Sequence, residues 1–129
     1  MNKILIEVSV GELLDKISIL EIKKDKIKDP DKLSFISNEL SLLRDEFKNN
    51  ISSNKKIDTL YQSLKIINAR LWVIEDEKRQ CEKNKDFTEN FIKLSRDVHI
   101  LNDDRAKIKL EINKITSSKI REIKEYAVY

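Results

Sequence analysis

Apolar residues recur along this chain in alternating steps of three and four, the spacing that returns a side chain to one face of an α-helix. Leu33, Ile36, Leu40, Leu43 and Phe47 form one such series, and Ile57, Leu60, Leu64, Ile67, Leu71, Ile74 and Cys81 form a longer one. A third runs through Phe87, Phe91, Leu94, Val98, Leu101, Arg105, Ile108, Ile112 and Ile115. The two long series predict helices over about 55–84 and 87–115, the first roughly 45 Å long. The turn between them, "NKDFTEN", makes them an antiparallel hairpin. Asp86 followed by Glu89 fits a capping box at the start of the second.

The first thirty residues change character. Ile4, Ile6 and Val8 alternate with Leu5 and Glu7, a short period-two pattern that predicts an extended segment over 3–8. Ser9 then precedes Glu12 by three, the spacing of a capping box. Val10, Leu13, Ile17, Leu20 and Ile27 continue on helical spacing, so a helix is expected over about 10–27. Gly11 falls in its first turn, where glycine costs about 0.5–1 kcal/mol relative to alanine. Close approach of another backbone, of a side chain such as Trp72, or of a ligand at the helix N-terminus would account for it. Pro30 suits the first turn of a second helix over about 30–48, with Asp29 as its cap. "NNISSNKK" is the clearest loop, rich in side chains that compete for backbone hydrogen bonds. "TSS" at 116–118 is a weak break before a short C-terminal segment, 118–129.

The expected fold is therefore all-α. A single domain over 1–129 forms an antiparallel helical bundle built on the long hairpin, with a short N-terminal extended segment. The two shorter helices are expected to pack against the hairpin. The extended segment would pair with the C-terminal "YAVY" or with its counterpart in a second copy.

Several polar residues interrupt the apolar series. Arg105 stands where the heptad calls for a hydrophobe. A buried guanidinium needs partners, because desolvating an unpaired charge is costly. Glu75, Asp76, Asp104 or a ligand anion could answer it. The spacing leaves open a structural ion pair, an arginine reaching past a small core, and an anion grip whose planar fork suits carboxylate or phosphate. In the hairpin Asn68 lies level with Asn102, and Leu64 with Arg105. Asn68, Trp72, Glu75 and Arg79 share one stripe; Asn102, Arg105, Lys109 and Asn113 share another. Candidate anion-binding residues are therefore Arg105, Arg79, Lys109 and Lys16. Glu12, Asn68, Trp72, Glu75, Asn102 and Asn113 are candidates for a polar groove beside them. Trp72 could stack on a sugar or base, but a lone tryptophan in a helical chain reads first as core with its indole nitrogen bonded. Cys81 reads as small core filling, and His99 as a surface or half-buried residue.

Composition narrows the classes. The 129 residues carry 26 basic and 23 acidic side chains, a formal charge of +3. Such an intermixed surface does not favour specific nucleic-acid binding. One cysteine and one histidine leave no multi-cysteine or histidine metal site and no legible nucleophilic triad. Acid pairs three residues apart (Glu12 with Asp15, Asp86 with Glu89, Glu122 with Glu125) occur no more often than random placement of 23 acids would give. No metal and no cofactor is expected. No apolar run is long enough to span a membrane, and no signal peptide is legible, so the expectation is cytoplasmic.

The block "VSVGELLDKISILEIKKDKI" (Val8 to Ile27) resembles the start of a family of short proteins, domain of unknown function 6165. "INARLWVIEDEKR" (Ile67 to Arg79), "FIKLSRDVHILNDDRAKIKLEIN" (Phe91 to Asn113) and "EIKEYAVY" (Glu122 to Tyr129) continue the resemblance over nearly the whole chain. Its members are mainly bacterial and viral, some encoded beside genes for surface-polysaccharide synthesis. The resemblance supplies no catalytic residue. It draws attention to Gly11, Glu12, Asp15, Lys16, Trp72, Glu75, Asp76 and Arg79, and to Asn102, Asp104, Arg105, Asn113, Tyr126 and Tyr129, in its blocks.

The expected function is a non-enzymatic interaction or small anionic-ligand-binding protein, acting as a homodimer or with another protein, accessory to polysaccharide synthesis. The alternative is a small helical enzyme, either a mutase-like electrostatic pocket or a magnesium-dependent nucleotide pyrophosphohydrolase.

Overall fold

The computed structural model describes residues 2–118 and 123–129. The chain is all-α, with α1 over Val10–Lys26, α2 over Pro30–Asn50, α3 over Lys55–Lys83 and α4 over Glu89–Ile115. Residues 2–8 and 123–129 carry no strand pairing, so the expected ladder between the two ends is not formed. Of the C-terminal segment, residues 119–122 lie outside the described residues, Glu122 of the third acid pair among them.

Local chemistry sets the helix ends. Ser9 is extended and its Oγ accepts the Glu12 amide at 3.0 Å. The Glu12 carboxylate turns to Lys109 instead of closing the capping box. Pro30 opens α2, but the Asp29 side chain makes no capping bond. Asn54 caps α3 by accepting the Ile57 amide at 3.0 Å. After α3, Lys85 takes the left-handed conformation (φ 52°), and the Asp86 amide bonds back to the Cys81 carbonyl. That turn reverses the chain.

The start of α4 corrects the sequence expectation. Asp86 accepts the backbone amide and hydroxyl of Thr88, so it closes a turn and is no helix cap. The helix begins only at Glu89. Phe87 is left exposed outside it, edge-on to Phe91 with ring centroids 5.4 Å apart.

The packing order also differs from expectation. Only α1, among the described residues, has its backbone close to each of the other three helices. It lies on the α3–α4 hairpin, and α2 lies on α1. The reason is that α1 is buried on more than the one face its apolar series marks. Besides Leu14, Ile17 and Leu20 it buries Gly11, Asp15, Ser18 and Ile22, a second stripe at steps of four, three and four.

Two apolar clusters result. Leu14, Ile17, Leu20, Leu40, Ile57, Leu64 and Ile112 fill the region where all four helices meet. Leu71, Ile74, Cys81, Leu94 and Leu101 fill the hairpin alone, so Cys81 is core as expected. Lys78, which interrupts the apolar series of α3, lays its ammonium over the Phe91 ring, 5.9 Å from the centroid.

Gly11 is where α1 crosses α4. A Cβ on it would lie 2.6 Å from the Lys109 carbonyl oxygen and 3.0 Å from the Asn113 side-chain oxygen. Backbone approach is thus the cause, among the three considered. A ligand at this helix end has no free donor to meet. The Gly11 amide donates to Asn113 Oδ1 (2.7 Å), Val10 to Ser118 Oγ (3.3 Å), Glu12 to Ser9 Oγ (3.0 Å) and Leu13 to the Ser9 carbonyl (3.1 Å).

Gly11→Ala is therefore expected to destabilise the protein by roughly 1–3 kcal/mol despite alanine's better helix propensity. Urea unfolding checks this; an unchanged or raised stability would show that α1 and α4 separate freely here.

Candidate functional site

Between the two apolar clusters lies a polar layer built from α1, α3 and α4. Asn68 sits between Leu64 and Leu71 on α3, and Arg105 between Leu101 and Ile112 on α4. The Asn68 Nδ2 group donates to Asp15 Oδ1 at 2.8 Å and to Ser18 Oγ at 2.7 Å. Ser18 in turn donates to the Asp15 carbonyl at 2.8 Å. The Asn68 Oδ1 accepts an Arg105 NH1 hydrogen at 3.1 Å, and Asn102 Oδ1 accepts from NH2 at 2.7 Å. One turn along α4, the Lys109 ammonium donates to Glu12 at 2.7 Å and stands 3.7 Å from Asp15. Two carboxylates and two cations thus balance across the layer.

Arg105 does not form the expected ion pair. No carboxylate of the described residues comes within 4.0 Å of it, neither Glu75, Asp76 nor Asp104. Two neutral amide oxygens hold its fork instead, and the guanidinium faces a pocket. That pocket has a volume of about 460 Å³ and is lined by Ile19 and Ile22 of α1, by Asn68, Leu71, Trp72, Glu75, Asp76 and Arg79 of α3, and by Arg105. The aliphatic side chains and the half-buried indole make an apolar wall. Charges stand at its margins.

Of the residues singled out from sequence, the pocket gathers Arg105, Arg79, Asn68, Trp72 and Glu75. Asn102 stands behind Arg105 as its second acceptor. Lys109 and Glu12 face each other in the buried layer. Asn113 holds the Gly11 amide. Lys16 is exposed and does not line the pocket. His99 lies on the surface, edge-on to Tyr129 at 5.2 Å, while the Tyr129 hydroxyl donates to Asp103 at 2.7 Å.

Sequence reasoning passed over Ser18 and gave Asp15 no role in the layer. The signal was present in α1, where the small or polar Gly11, Asp15 and Ser18 share one stripe at heptad spacing that ends on Ile22. It also passed over a second polar cluster where α1 meets α2 and α3. The Glu21 carboxylate accepts from the Tyr61 hydroxyl and from Lys65 at 2.7 Å, with Arg44 at 3.3 Å. Burial pushes the Glu21 carboxyl up, but the bonds from Lys65, Tyr61 and Arg44 outweigh it and hold it below its ordinary value. Burial and the adjacent Glu21 push the Tyr61 hydroxyl far above its own.

No three His, Cys, Asp or Glu side chains among the described residues are grouped to hold a metal ion. No helix among them is long and apolar enough to cross a membrane.

Two outcomes follow from this geometry. Asn68→Ala strips a partner from Asp15, Ser18 and Arg105 together, with an expected loss of about 2–5 kcal/mol in chemical denaturation; a loss below about 1 kcal/mol would mean that water replaces the amide without cost. Glu21 stabilises the fold fully above its unfolded value, ordinarily 4.5, and less as pH falls through its depressed folded value. The stability gap between wild type and Glu21→Gln should therefore be constant above the unfolded value of 4.5 and narrow as pH falls below it. A gap that widens on acidification would reverse the assignment.

Residues 4–129 match the family described as "Family of unknown function (DUF6165)". No curated protein and no solved structure matches the chain. The match spans all four helices, the polar layer and the pocket, and the chain belongs to the DUF6165 family.

Proposed function

We propose that this protein binds a small organic anion in the pocket between α1, α3 and α4. The observation that carries the reading is Arg105. A guanidinium has five N–H donors in a planar fork, and the two bonds to Asn68 and Asn102 leave the rest of that fork for a ligand. No carboxylate among the described residues is close enough to neutralise it directly. An anion in the pocket would take the place of that missing partner through charge-assisted hydrogen bonds. Trp72, Leu71, Ile19 and Ile22 offer an apolar wall for the body of the ligand, and Glu75 and Asp76 accept from its hydroxyl or amine groups. The network behind Arg105 holds the fork in place before a ligand arrives, which lowers the ordering cost of binding.

The reading is of a binding protein, cytoplasmic and self-associating. A buried free thiol at Cys81 suits a reducing compartment. Large apolar side chains left uncovered, Phe35 among them at 79% exposure, support a second copy as a partner. The family resemblance to proteins encoded beside polysaccharide-synthesis genes sets the first ligands to try.

Trp72 is the sole tryptophan and lines the pocket, so its fluorescence reports occupancy. Sugar acids, nucleotide-sugars, simple carboxylates and inorganic phosphate should be titrated against the protein, with melting temperature followed in parallel. The expected result is a saturable change in Trp72 emission and a rise of several degrees with at least one carboxylate or phosphate. Arg105→Met should weaken it tenfold or more, by loss of a charged hydrogen bond. If no anion of the panel changes either signal, or if Arg105→Met responds as wild type does, the reading fails.

A further inference from the structure

The hairpin has a second face. On α3, Asn68, Trp72, Glu75 and Arg79 look toward the pocket, whereas Ile66, Ala69, Arg70, Val73 and Glu77 lie on the opposite side by helical spacing. A shallow groove of about 430 Å³ runs along this side between α3 and α4. Its floor is Ala69, Val73, Ile74 and Leu94, and its rim is Arg70 and Glu77 on α3 with Lys93 and Asp97 on α4. Val73 is 46% exposed and Ile66, seven residues before it, 62%.

Neither α1 nor α2 reaches this side. The distal half of the hairpin therefore closes its core with two helices only, and has a bare apolar strip along its back. Its charge pattern is the informative part. Arg70 and Glu77 stand three residues before and four after Val73, on one stripe. A two-fold axis through the groove at Val73–Ile74 carries each onto the position opposite the other. Such an interface must complement itself; the α3 stripe does, and on α4 Asp97, level with the axis, is already paired to Lys93 at 2.7 Å.

We infer that the face around Val73 is a two-fold interface between copies of this chain, with Val73 at its centre and Arg70 paired to Glu77 of the partner subunit. The occupant is a second copy. Another partner could use the apolar floor, but would have no need of opposite charges placed evenly about its centre. Over the roughly three turns from Ile66 to Glu77 two helices side by side present on the order of 350 Å² in projection, so the interface is a small one and the dimer a weak one. The pocket opens on the other side of α3, so both copies keep it accessible. The inference rests on the self-association proposed above and assigns its location.

Sedimentation equilibrium of the full chain tests both levels. The wild type should sediment as a dimer at tens of micromolar. Val73→Lys should be monomeric with unchanged helicity by circular dichroism; the residue is exposed enough for folding to tolerate the change. Arg70→Glu and Glu77→Arg should each raise the dimer dissociation constant by about tenfold, because each places like charges in contact twice across the axis. Combining them restores both pairs and should return the constant to near the wild-type value. A monomeric wild type overturns the association itself. A dimer that survives Val73→Lys leaves association standing and overturns this face. Single charge reversals that weaken the dimer without rescue in the double variant overturn the pairing of Arg70 with Glu77.

Discussion

The amide of Asn68 is the joint on which the rest of the molecule depends. An amide side chain donates and accepts at once, and this one donates to Asp15 and Ser18 of α1 while accepting from Arg105 of α4. It binds three helices at one level. It also keeps the acid and the guanidinium one amide apart. A direct contact between Asp15 and Arg105 would have used up the fork on a protein carboxylate. With the amide between them, overall charge stays balanced while the guanidinium faces the pocket. Buried ionic groups are a poor source of stability, since desolvation offsets much of their attraction. Here they set position. Sliding α1 by one turn would bring Asp15 against the apolar cluster of the hairpin and leave Asn68 facing Leu14 or Ile22.

The same helix is held at two further levels, each polar. At its N-terminal end the Asn113 side chain holds the Gly11 amide. Toward its C-terminal end Glu21 collects Tyr61, Lys65 and Arg44. A 17-residue helix enclosed by three others has few ways to fix its height by apolar packing alone, because hydrophobic contact is non-directional. Directional bonds at three levels supply what the leucines and isoleucines do not. Gly11 permits the first of them, since any Cβ would push the α4 backbone away before the Asn113 bond could close.

How far the sequence was legible follows from the kind of signal each feature leaves. The long apolar series of α3 and α4 could not be accommodated by strands, so the all-α class and the hairpin were plain. Arg105 stood out because it interrupts its series at a position a hydrophobe should hold, and Asn68 because it lies level with Asn102 across the hairpin. Asp15 and Ser18 did not, because in α1 the apolar series runs beside them and a polar stripe reads as a solvated face. Only knowing that α1 is covered on both sides turns that stripe into an interface. The order of packing, with α2 on α1 rather than on the hairpin, has no sequence signature at all, since amphipathicity names a buried face without naming what buries it. The start of α4 failed for a local reason: Asp86 has two donors in Thr88 nearer than any helical amide.

The alternation along α3 places the two proposed surfaces on opposite sides of one helix. Residues 72, 75, 76 and 79 belong to the pocket, while 70, 73 and 77 belong to the groove behind it. No loop or hinge separates the two sets; they are opposite sides of one continuous helix of 29 residues. Such a helix moves as one body, because its backbone hydrogen bonds resist bending, while side chains on its opposite faces do not touch. The dimension that could couple the faces is the spacing between α3 and α4, because both the pocket and the groove are bounded by that pair. That spacing is fixed at the level of Asn68, where Arg105 bridges the two helices. The distal half beyond it has only Leu71, Ile74, Cys81, Leu94 and Leu101 to hold it. Apolar contacts of that kind resist separation but permit small sliding, so any communication between ligand and partner would pass through the distal half of the hairpin and stop at the polar layer.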